Sequence, residues 1–203
     1  MNYNSISAEH HGQGLSILLV TDRSAWGLLA ANYLDARSVE VTHFAWQKGV
    51  DTEGGSIDWE GDWIIGFKAD YVLSASELAS ARSGAINFHP APPNFRGVGT
   101  YDLAIANGAR TYGVTCHHMT GRVDAGPIIC AIEFAIPGKF SPDDLRELTA
   151  ARLYALFVEV LCRIGNGAEL PISNAQWSGP LHTWRQYYER AGMSLSDDPQ
   201  VPR

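Results

Sequence analysis

Cysteine is scarce in this chain: Cys116, Cys130 and Cys162 are the three present among 203 residues. Their number is odd and their spacing matches no metal motif, which argues against a disulfide scaffold and a cysteine metal site. The chain also lacks the run of roughly 18 to 20 apolar residues that a membrane span requires. Residues 1–14 have neither the basic start nor the apolar stretch of a signal peptide, and a flexible tail is expected there. These absences predict a cytoplasmic protein with buried, reduced thiols.

Positive charge is scarce as well, since 15 Lys and Arg residues stand against 22 Asp and Glu residues, a formal net charge of −7. Nucleic-acid backbones and anionic membranes repel such a chain, so neither is expected as a main partner. The hydrophobic fraction of 45% predicts one folded domain with a core of ordinary size. Composition leaves the oligomeric state open, and a homodimer is compatible with it.

Apolar runs alternate with helix start signals in the first half of the chain. Strands are predicted at residues 15–20, 39–44, 63–67 and 85–89, and helices at 24–34 and 74–80. This alternation predicts an α/β, Rossmann-like fold in a single domain, with a mostly parallel sheet flanked by helices. Ligands of such sheets gather at the carboxyl ends of the strands.

The second half continues the pattern and sets the predicted boundaries. A helix is predicted at residues 100–107, strands at 112–119 and 127–136, and a long helix from Ser141 to Gly165. We assign residues 15–175 to one catalytic domain. Residues 176–203 are interpreted as a loop-like aromatic extension.

Polar side chains follow the strand that ends before Pro90. Asn87 and His89 are two residues apart and therefore point to the same face of a strand, where an amide and an imidazole can address one carbonyl oxygen. They could equally cap the loop backbone at the strand end. Asp124 precedes Ala125-Gly126 and could serve as a turn former alone. A metal site is not expected, because His117 and its successor in the chain point to opposite faces of their strand and lack suitable partners.

The order of these motifs resembles the 10-formyltetrahydrofolate-dependent formyltransferases. The matching stretches are Asn-Phe-His-Pro at 87–90, Arg-Gly at 96–97, Gly-Val-Thr-Cys-His at 113–117 and Val-Asp-Ala-Gly-Pro-Ile-Ile at 123–129. The resemblance implies a catalytic triad of Asn87, His89 and Asp124, with 10-formyltetrahydrofolate as co-substrate and no metal. Asn87 and a protonated His89 would stabilise the developing oxyanion. Asp124 would orient His89 and relay the proton of the attacking amine.

The same resemblance implies where the folate binds. Tyr71, Val72 and Leu73 align with the pterin-binding stretch of the family, and a turn containing Val123 and Gly126 would close the other side of the pocket. A strand passing into a helix would explain the residues at 71–73 equally well.

The acceptor amine is indicated by two local departures. Residues 21–27 lack the small residues that would let backbone N–H groups approach a phosphate, which argues against glycinamide ribonucleotide. The His-Pro-Ala-Pro-Pro loop is most similar to that of the nucleotide-sugar N-formyltransferases, which implies an amino-sugar acceptor. An amino acid or carrier-bound aminoacyl group remains an alternative, as does glycinamide ribonucleotide.

Three residues are predicted to contact that acceptor. Asn94 and Arg96 lie on a loop stiffened by proline, where the guanidinium could pair with a phosphate. Trp184 could stack on a nucleotide base. The alternative to contact with the acceptor is that Trp177 and Trp184 pack against the core.

Two other classes of function compete with formyl transfer. A folate-binding module without turnover is one, although the intact triad argues against it. A nicotinamide-dependent oxidoreductase is the other, but the Gly-x-Gly-x-x-Gly that it needs after the first strand is absent.

Overall fold

The computed structural model describes residues 14–52 and 56–192. The strands are β1 (Leu15–Thr21), β2 (Val39–Ala45), β3 (Gly61–Phe67), β4 (Ala81–His89), β5 (Arg96–Gly97), β6 (Thr111–His118), β7 (Ile128–Ala135) and β8 (Leu181–His182). The helices are α1 (Ala25–Asp35), α2 (Ala75–Ala79), α3 (Thr100–Ala106), α4 (Pro142–Gly165) and α5 (Trp184–Arg190). The predicted tail at residues 1–14 lies outside the described residues except for Gly14.

Six of the strands form one sheet in the order β2-β1-β3-β4-β6-β7. The pairs among β1, β2, β3 and β4 are parallel, whereas β6 is antiparallel to both β4 and β7. The α/β, mostly parallel fold predicted from the sequence is confirmed. The antiparallel pairing of β6 with β7 follows from the short connection between them, which turns the chain directly back.

Helix α4 covers the face of the sheet behind the strand ends. Ser141 starts it with a capping box, in which the Ser141 side chain accepts from Asp144 N–H and the Asp144 carboxylate accepts from Ser141 N–H. Phe157 packs edge-on against Phe67 of β3 and Phe88 of β4, with ring centroids 5.3 Å apart in each case. This aromatic packing holds the ends of β3 and β4 in fixed positions. Of the helices in the described chain, none combines the length and the apolar character that a membrane crossing requires.

The prediction that the chain is loop-like from residue 176 is wrong. Strand β8 and helix α5 lie in this segment. Thr183 caps α5 by accepting from Gln186 N–H, and the Gln186 side chain accepts from Thr183 N–H. Trp184, Tyr187 and Tyr188 then follow helical spacing, so their rings meet on one side of the helix. The aromatic residues that suggested irregular packing form one helix face.

The prediction of three buried thiols is also wrong in part. Cys116 is buried, Cys130 is half-buried and Cys162 is exposed, and all three are free. Cys162 lies on α4 between Leu161 and Ile164, which both face the core. The turn of about 100° per residue therefore places its thiol on the outer side of the helix.

Candidate active site

A cleft of about 760 Å³ opens at the carboxyl ends of β1, β3 and β4. Asp22 follows β1 at its rim, residues 68–73 follow β3, and Asn87 and His89 lie at the end of β4. The volume falls in the range of about 300–1,000 Å³ that is usual for small-molecule sites. The position agrees with the expectation that ligands bind at this edge of a parallel sheet.

Asn87 and His89 point from β4 to the same side, as their spacing predicts. Asn87 lies opposite His117 of β6 on one side and Gly66 of β3 on the other. A Cβ atom on Gly66 would lie 2.6 Å from Asn87 Oδ1, so the missing side chain leaves the room that the amide occupies. The sheet therefore fixes the amide from both flanks.

Asp124 reaches the two β4 residues from the turn between β6 and β7. Its Oδ2 lies 3.4 Å from His89 Nδ1, and its Oδ1 lies 3.5 Å from His117 Nε2. The backbone N–H of Gly97 donates to Oδ2 at 2.8 Å. All of these side chains are largely buried. The three residues of the predicted triad are thus brought together, joined by His117.

The Asp124 carboxyl titrates far below its ordinary range. Burial alone would raise its pKa, but the neighbouring His89, the hydrogen bond with His117 and the backbone N–H of Gly97 together lower the pKa to about 2. Asp124 is therefore a carboxylate at neutral pH.

The hydrogen bonds also fix where the imidazole protons sit. His89 Nε2 lies 2.7 Å from the Phe95 carbonyl oxygen, and His117 Nδ1 lies 2.9 Å from the His118 carbonyl oxygen. A carbonyl oxygen can only accept, so each of these nitrogens carries a hydrogen. A second proton on either ring would then lie on the nitrogen that faces Asp124. Both histidines direct an incoming proton toward the same carboxylate.

Two residues of the site were missed as catalytic neighbours at the level of the sequence. His117 Nε2 lies 3.3 Å from Asn87 Nδ2, and His117 was considered only as a metal ligand. Trp177 donates from Nε1 to the Gly126 carbonyl at 2.7 Å, and its ring lies edge-on to His117 with centroids 4.9 Å apart. The antiparallel register of β6 against β4 would have indicated His117. No local signal indicates Trp177.

The residues aligned with the pterin-binding stretch line the cleft in different ways. The Tyr71 ring packs on Phe44 and Trp46, and its hydroxyl donates to Glu77. Leu73 is buried, whereas Val72 is 68% exposed and presents an apolar surface. Val123, on the turn that carries Asp124, is 40% exposed and also lines the cleft. Their contact with a folate stays a prediction.

The other predicted ligand contacts divide in two. Trp184 lines the cleft, together with Tyr187. Asn94, Arg96 and Gly126 do not belong to its lining among the described residues. The Arg96 guanidinium donates to the carbonyls of Val123 and Asp124. A Cβ on Gly126 would lie 1.8 Å from the His118 carbonyl oxygen, so this position needs glycine for packing. Direct contact of these three residues with ligand stays a prediction.

A second charged group lies across β4 from Asp124. Asp22 accepts from Lys68 Nζ at 2.6 Å, and Asp70 accepts from the Lys48 N–H at 3.4 Å. Burial and the nearby charge of Asp22 raise the pKa of Asp70 to about 6, although that N–H and two lysine charges oppose the change. Residues 14–52 and 56–192 contain no group of three or more His, Cys, Asp or Glu side chains arranged to hold a metal ion.

The formyl transferase family model matches residues 59–161, half of the chain, from the residues just before β3 through most of α4. The chain belongs to the formyl transferase family. This match confirms the resemblance seen in the motifs, and it contains Asn87, His89 and Asp124.

This chain is similar in sequence and in fold to known formyltransferases. The methionyl-tRNA formyltransferase of Novosphingobium aromaticivorans is 29% identical over 133 residues, which cover 65% of this chain and 44% of that protein. The 4-N formyltransferase from Francisella tularensis has a TM-score of 0.72 at 19% identity, covering 95% of this chain and 84% of that one. The N-formyltransferase from Helicobacter canadensis, in complex with folinic acid and dTDP-3-aminofucose, has a TM-score of 0.67 at 18% identity, covering 83% and 71%.

The curated relatives are matched over only part of their length. The chain spans about half or less of the length of those that it matches, with 44% of the Novosphingobium protein covered. At 18% and 19% identity, the two solved structures show only that the fold is shared.

Proposed function

We propose that this formyl transferase passes a formyl group from 10-formyltetrahydrofolate to a primary amine, that of a nucleotide-linked amino sugar. The observation that carries the proposal is the meeting of Asn87, His89 and an ionised Asp124 in one cleft. An amide donor, an imidazole and a buried carboxylate are the groups that amine attack on a formyl carbon requires.

The cleft has a surface that suits a flat, partly apolar donor. Val72 is exposed on one side, Val123 is exposed on the other, and Met119 lies among the lining residues near Asn87. We place the pterin ring between these apolar side chains, as the alignment of residues 71–73 implies. When bound there, 10-formyltetrahydrofolate supplies the carbonyl carbon that the amine attacks.

Asn87 stabilises the negative charge that develops on the formyl oxygen. An amide nitrogen carries two hydrogens, and the contact with His117 uses one of them. The second is available to the oxyanion. Loss of one such donor costs about 100- to 1,000-fold in rate in other enzymes. The sequence also assigned His89 to the oxyanion, but its Nε2–H is used by the Phe95 carbonyl. We therefore assign Asn87 the main share.

His89 and Asp124 move the proton. As the new C–N bond forms, the amine loses a proton, which His89 Nδ1 can accept because Asp124 faces that nitrogen. The same pair returns the proton to the departing folate nitrogen when the old C–N bond breaks. Charge and protons balance over the cycle, and no covalent enzyme intermediate is needed.

Three observations support an amino-sugar acceptor. The Helicobacter canadensis N-formyltransferase of the same fold was solved with dTDP-3-aminofucose. The His-Pro-Ala-Pro-Pro loop of this chain is similar to that of nucleotide-sugar enzymes. Trp184 and Tyr187 supply aromatic surface in the cleft on which a nucleotide base can stack.

An amino acid or a carrier-bound aminoacyl group is the second candidate for the acceptor, and the ion pairs at the cleft favour it. Four cations line the cleft outside the triad, and three of them have a carboxylate partner: Arg23 with Asp51, Lys68 with Asp22, and Arg146 with Asp143. The fourth is Arg122. A diphosphate would have to compete with those carboxylates for three of the four cations. An acceptor without phosphate avoids this competition.

A formylation assay over a panel of acceptors tests the function. The panel contains nucleotide amino sugars, carrier-bound aminoacyl groups and glycinamide ribonucleotide, and the release of tetrahydrofolate is followed spectroscopically. We expect turnover with a nucleotide amino sugar in parent protein and none above background in Asp124→Asn. Folate binding without turnover on any acceptor would favour a binding module. Activity lost to a chelator and restored by zinc would overturn the metal-free mechanism.

A further inference from the structure

The chain segment at residues 177–182 runs behind both loops that carry the reacting groups. The backbone N–H of Ser178 donates to the Pro93 carbonyl at 3.0 Å, and the N–H of Val98 donates to the His182 carbonyl at 3.0 Å. Strands β5 and β8 pair in parallel at the same place. The loop at 90–99 is therefore bonded along its length to a segment about 85 residues further along the chain.

Arg96 connects that loop to the turn that carries Asp124. Its Nε donates to the Asp124 carbonyl at 2.7 Å and its Nη2 to the Val123 carbonyl at 3.3 Å. The next residue, Gly97, donates its N–H to the Asp124 carboxylate at 2.8 Å. Asp124 has a φ of +43°, a left-handed conformation that costs free energy and persists when its surroundings hold it. The hydrogen bonds from Arg96 and Gly97 are surroundings of this kind.

Trp177 holds the same turn from its other end. Its indole N–H donates to the Gly126 carbonyl, two residues beyond Asp124. Its ring lies edge-on to His117 at 4.9 Å and contacts His89 at 5.8 Å between centroids. One side chain thus touches both imidazoles and the backbone of the carboxylate turn.

We propose that Arg96 and Trp177 are positioning residues, which hold Asp124 and the two histidines in the arrangement that transfers the proton. This inference rests on the proposed function. It replaces the predicted role of Arg96 as a phosphate ligand of the acceptor with a role toward Asp124. Displacement of a catalytic group by about 1 Å can cost roughly 100-fold in rate, which is why anchoring by remote side chains matters here.

The two roles of Arg96 predict different kinetics. Loss of a phosphate contact would raise KM for the acceptor and leave kcat nearly unchanged. Loss of a positioning contact lowers kcat and leaves KM for donor and acceptor within about twofold of the parent values.

Three variants and two matched controls separate these outcomes. We expect Arg96→Ala to lower kcat roughly 100-fold and Arg96→Lys to restore part of it, because one ammonium can reach one of the two carbonyls. Trp177→Phe keeps a ring against the histidines but removes the indole donor, and we expect roughly a tenfold lower kcat. The matched controls are Arg82→Lys and Trp26→Phe. In the parent protein, Arg82 donates from Nε and Nη2 to Asp62, and the Trp26 indole donates to Glu147. Both controls should turn over like the parent.

A second readout does not depend on turnover. Histidine side-chain NMR signals of His89 and His117 should shift in Arg96→Lys and Trp177→Phe and stay in place in the two controls, at equal melting temperature. Unchanged signals together with unchanged kcat would overturn the inference. A raised acceptor KM with parent kcat would do the same and return Arg96 to the acceptor. Parent protein that formylates no acceptor, with signals that still shift, would remove the proposed function and leave the positioning contacts standing.

Discussion

Two carboxyl groups, the buried Asp124 and the half-buried Asp70, flank β4 at the same edge of the sheet, and they behave in opposite ways. Asp124 stands on the β6 side with a pKa of about 2, while Asp70 stands on the β3 side with a pKa of about 6. Burial raises the pKa of both. Asp124 is offset by two imidazoles and a backbone N–H, whereas Asp70 has one long backbone hydrogen bond, with Asp22 close by and the two lysine charges at a distance. The number of converging donors, rather than depth, decides which carboxyl stays ionised.

This contrast assigns different work to the two sides of the cleft. A permanent carboxylate on the Asp124 side keeps its negative charge beside His89 throughout the neutral range, so that His89 can take up and return a proton. The Asp70 side changes charge near pH 6 and suits recognition more than proton transfer.

The largest expected effect tests that division directly. Asp124→Asn should lower kcat about 100- to 10,000-fold, the usual contribution of general acid–base catalysis. Asp70→Asn should stay within about tenfold of the parent, since it removes no proton carrier. Steady-state kinetics at pH 7.5 measures both, and equal losses would break the comparison.

The triad on the Asp124 side should act as one unit. Asn87→Ala and His89→Ala each remove a group that acts on the same transition state, so each should lose most of the turnover while donor binding persists. The double variant should lose far less than the product of the single losses, because residues that act together are not additive. Single-turnover rates for the three variants test this. Losses that multiply would show that Asn87 and His89 act in separate steps.

Stability against pH should move in opposite directions for the two carboxyl groups. The folded pKa of Asp124 is depressed, so its contribution is present above about pH 4 and is lost as the pH falls toward 2. The folded pKa of Asp70 is raised, so its contribution is present below about pH 4 and is lost as the pH rises through 6. The shift corresponds to about 2 kcal/mol for Asp124 and about 3 kcal/mol for Asp70.

Urea unfolding of Asp124→Asn and Asp70→Asn between pH 3 and pH 8 checks these signs. Asp70→Asn should be more stable than the parent above pH 6 and equal to it near pH 4. Asp124→Asn should be less stable than the parent at pH 7 and approach it at the acid end. Parallel pH profiles for the two variants would show that the two environments are alike.

The smallest expected effect concerns the aromatic wall. Trp184→Ala should raise KM for the acceptor about three- to tenfold, the worth of one stacking contact, and leave the donor KM nearly unchanged. Trp26→Phe, whose ring lies outside the cleft lining, serves as the control. If Trp184→Ala instead lowers the melting temperature or weakens both substrates alike, the helix face packs against the body of the protein and does not bind the acceptor.

Local sequence patterns were enough to predict the six-stranded sheet and the part of the site that lies on β4. Alternation in β4 places Asn87 and His89 on one face, and the Ser141 start signal marks α4. Asp124 came from resemblance of a motif, since an aspartate in a turn has no local mark of catalysis. No motif indicated the residues on the β3 side. The raised pKa of Asp70 arises from burial, which cannot be read from the sequence.

The remaining contacts of the site join residues that are far apart in the sequence, so local patterns do not predict them. His117 reaches Asn87 through the register of an antiparallel strand pair, 30 residues away. Trp177 reaches Gly126 across 51 residues. The same long-range pairing explains why β8 was missed, because β8 exists through its bonds to β5. Helix α5 had a local start signal in Thr183 and Gln186 that was overlooked. Short motifs therefore indicated the reacting groups but not the scaffold that aligns them.

The course of residues 177–182 sets an order in time during biosynthesis. Asn87, His89 and Asp124 leave the ribosome well before Trp177 and the strand that pairs with β5. A nascent chain can hold every reacting group and still lack the last pieces that align them. The contacts that align these groups are therefore complete only once residues 177–182 have emerged, later than the strands and the turn that carry Asn87, His89 and Asp124.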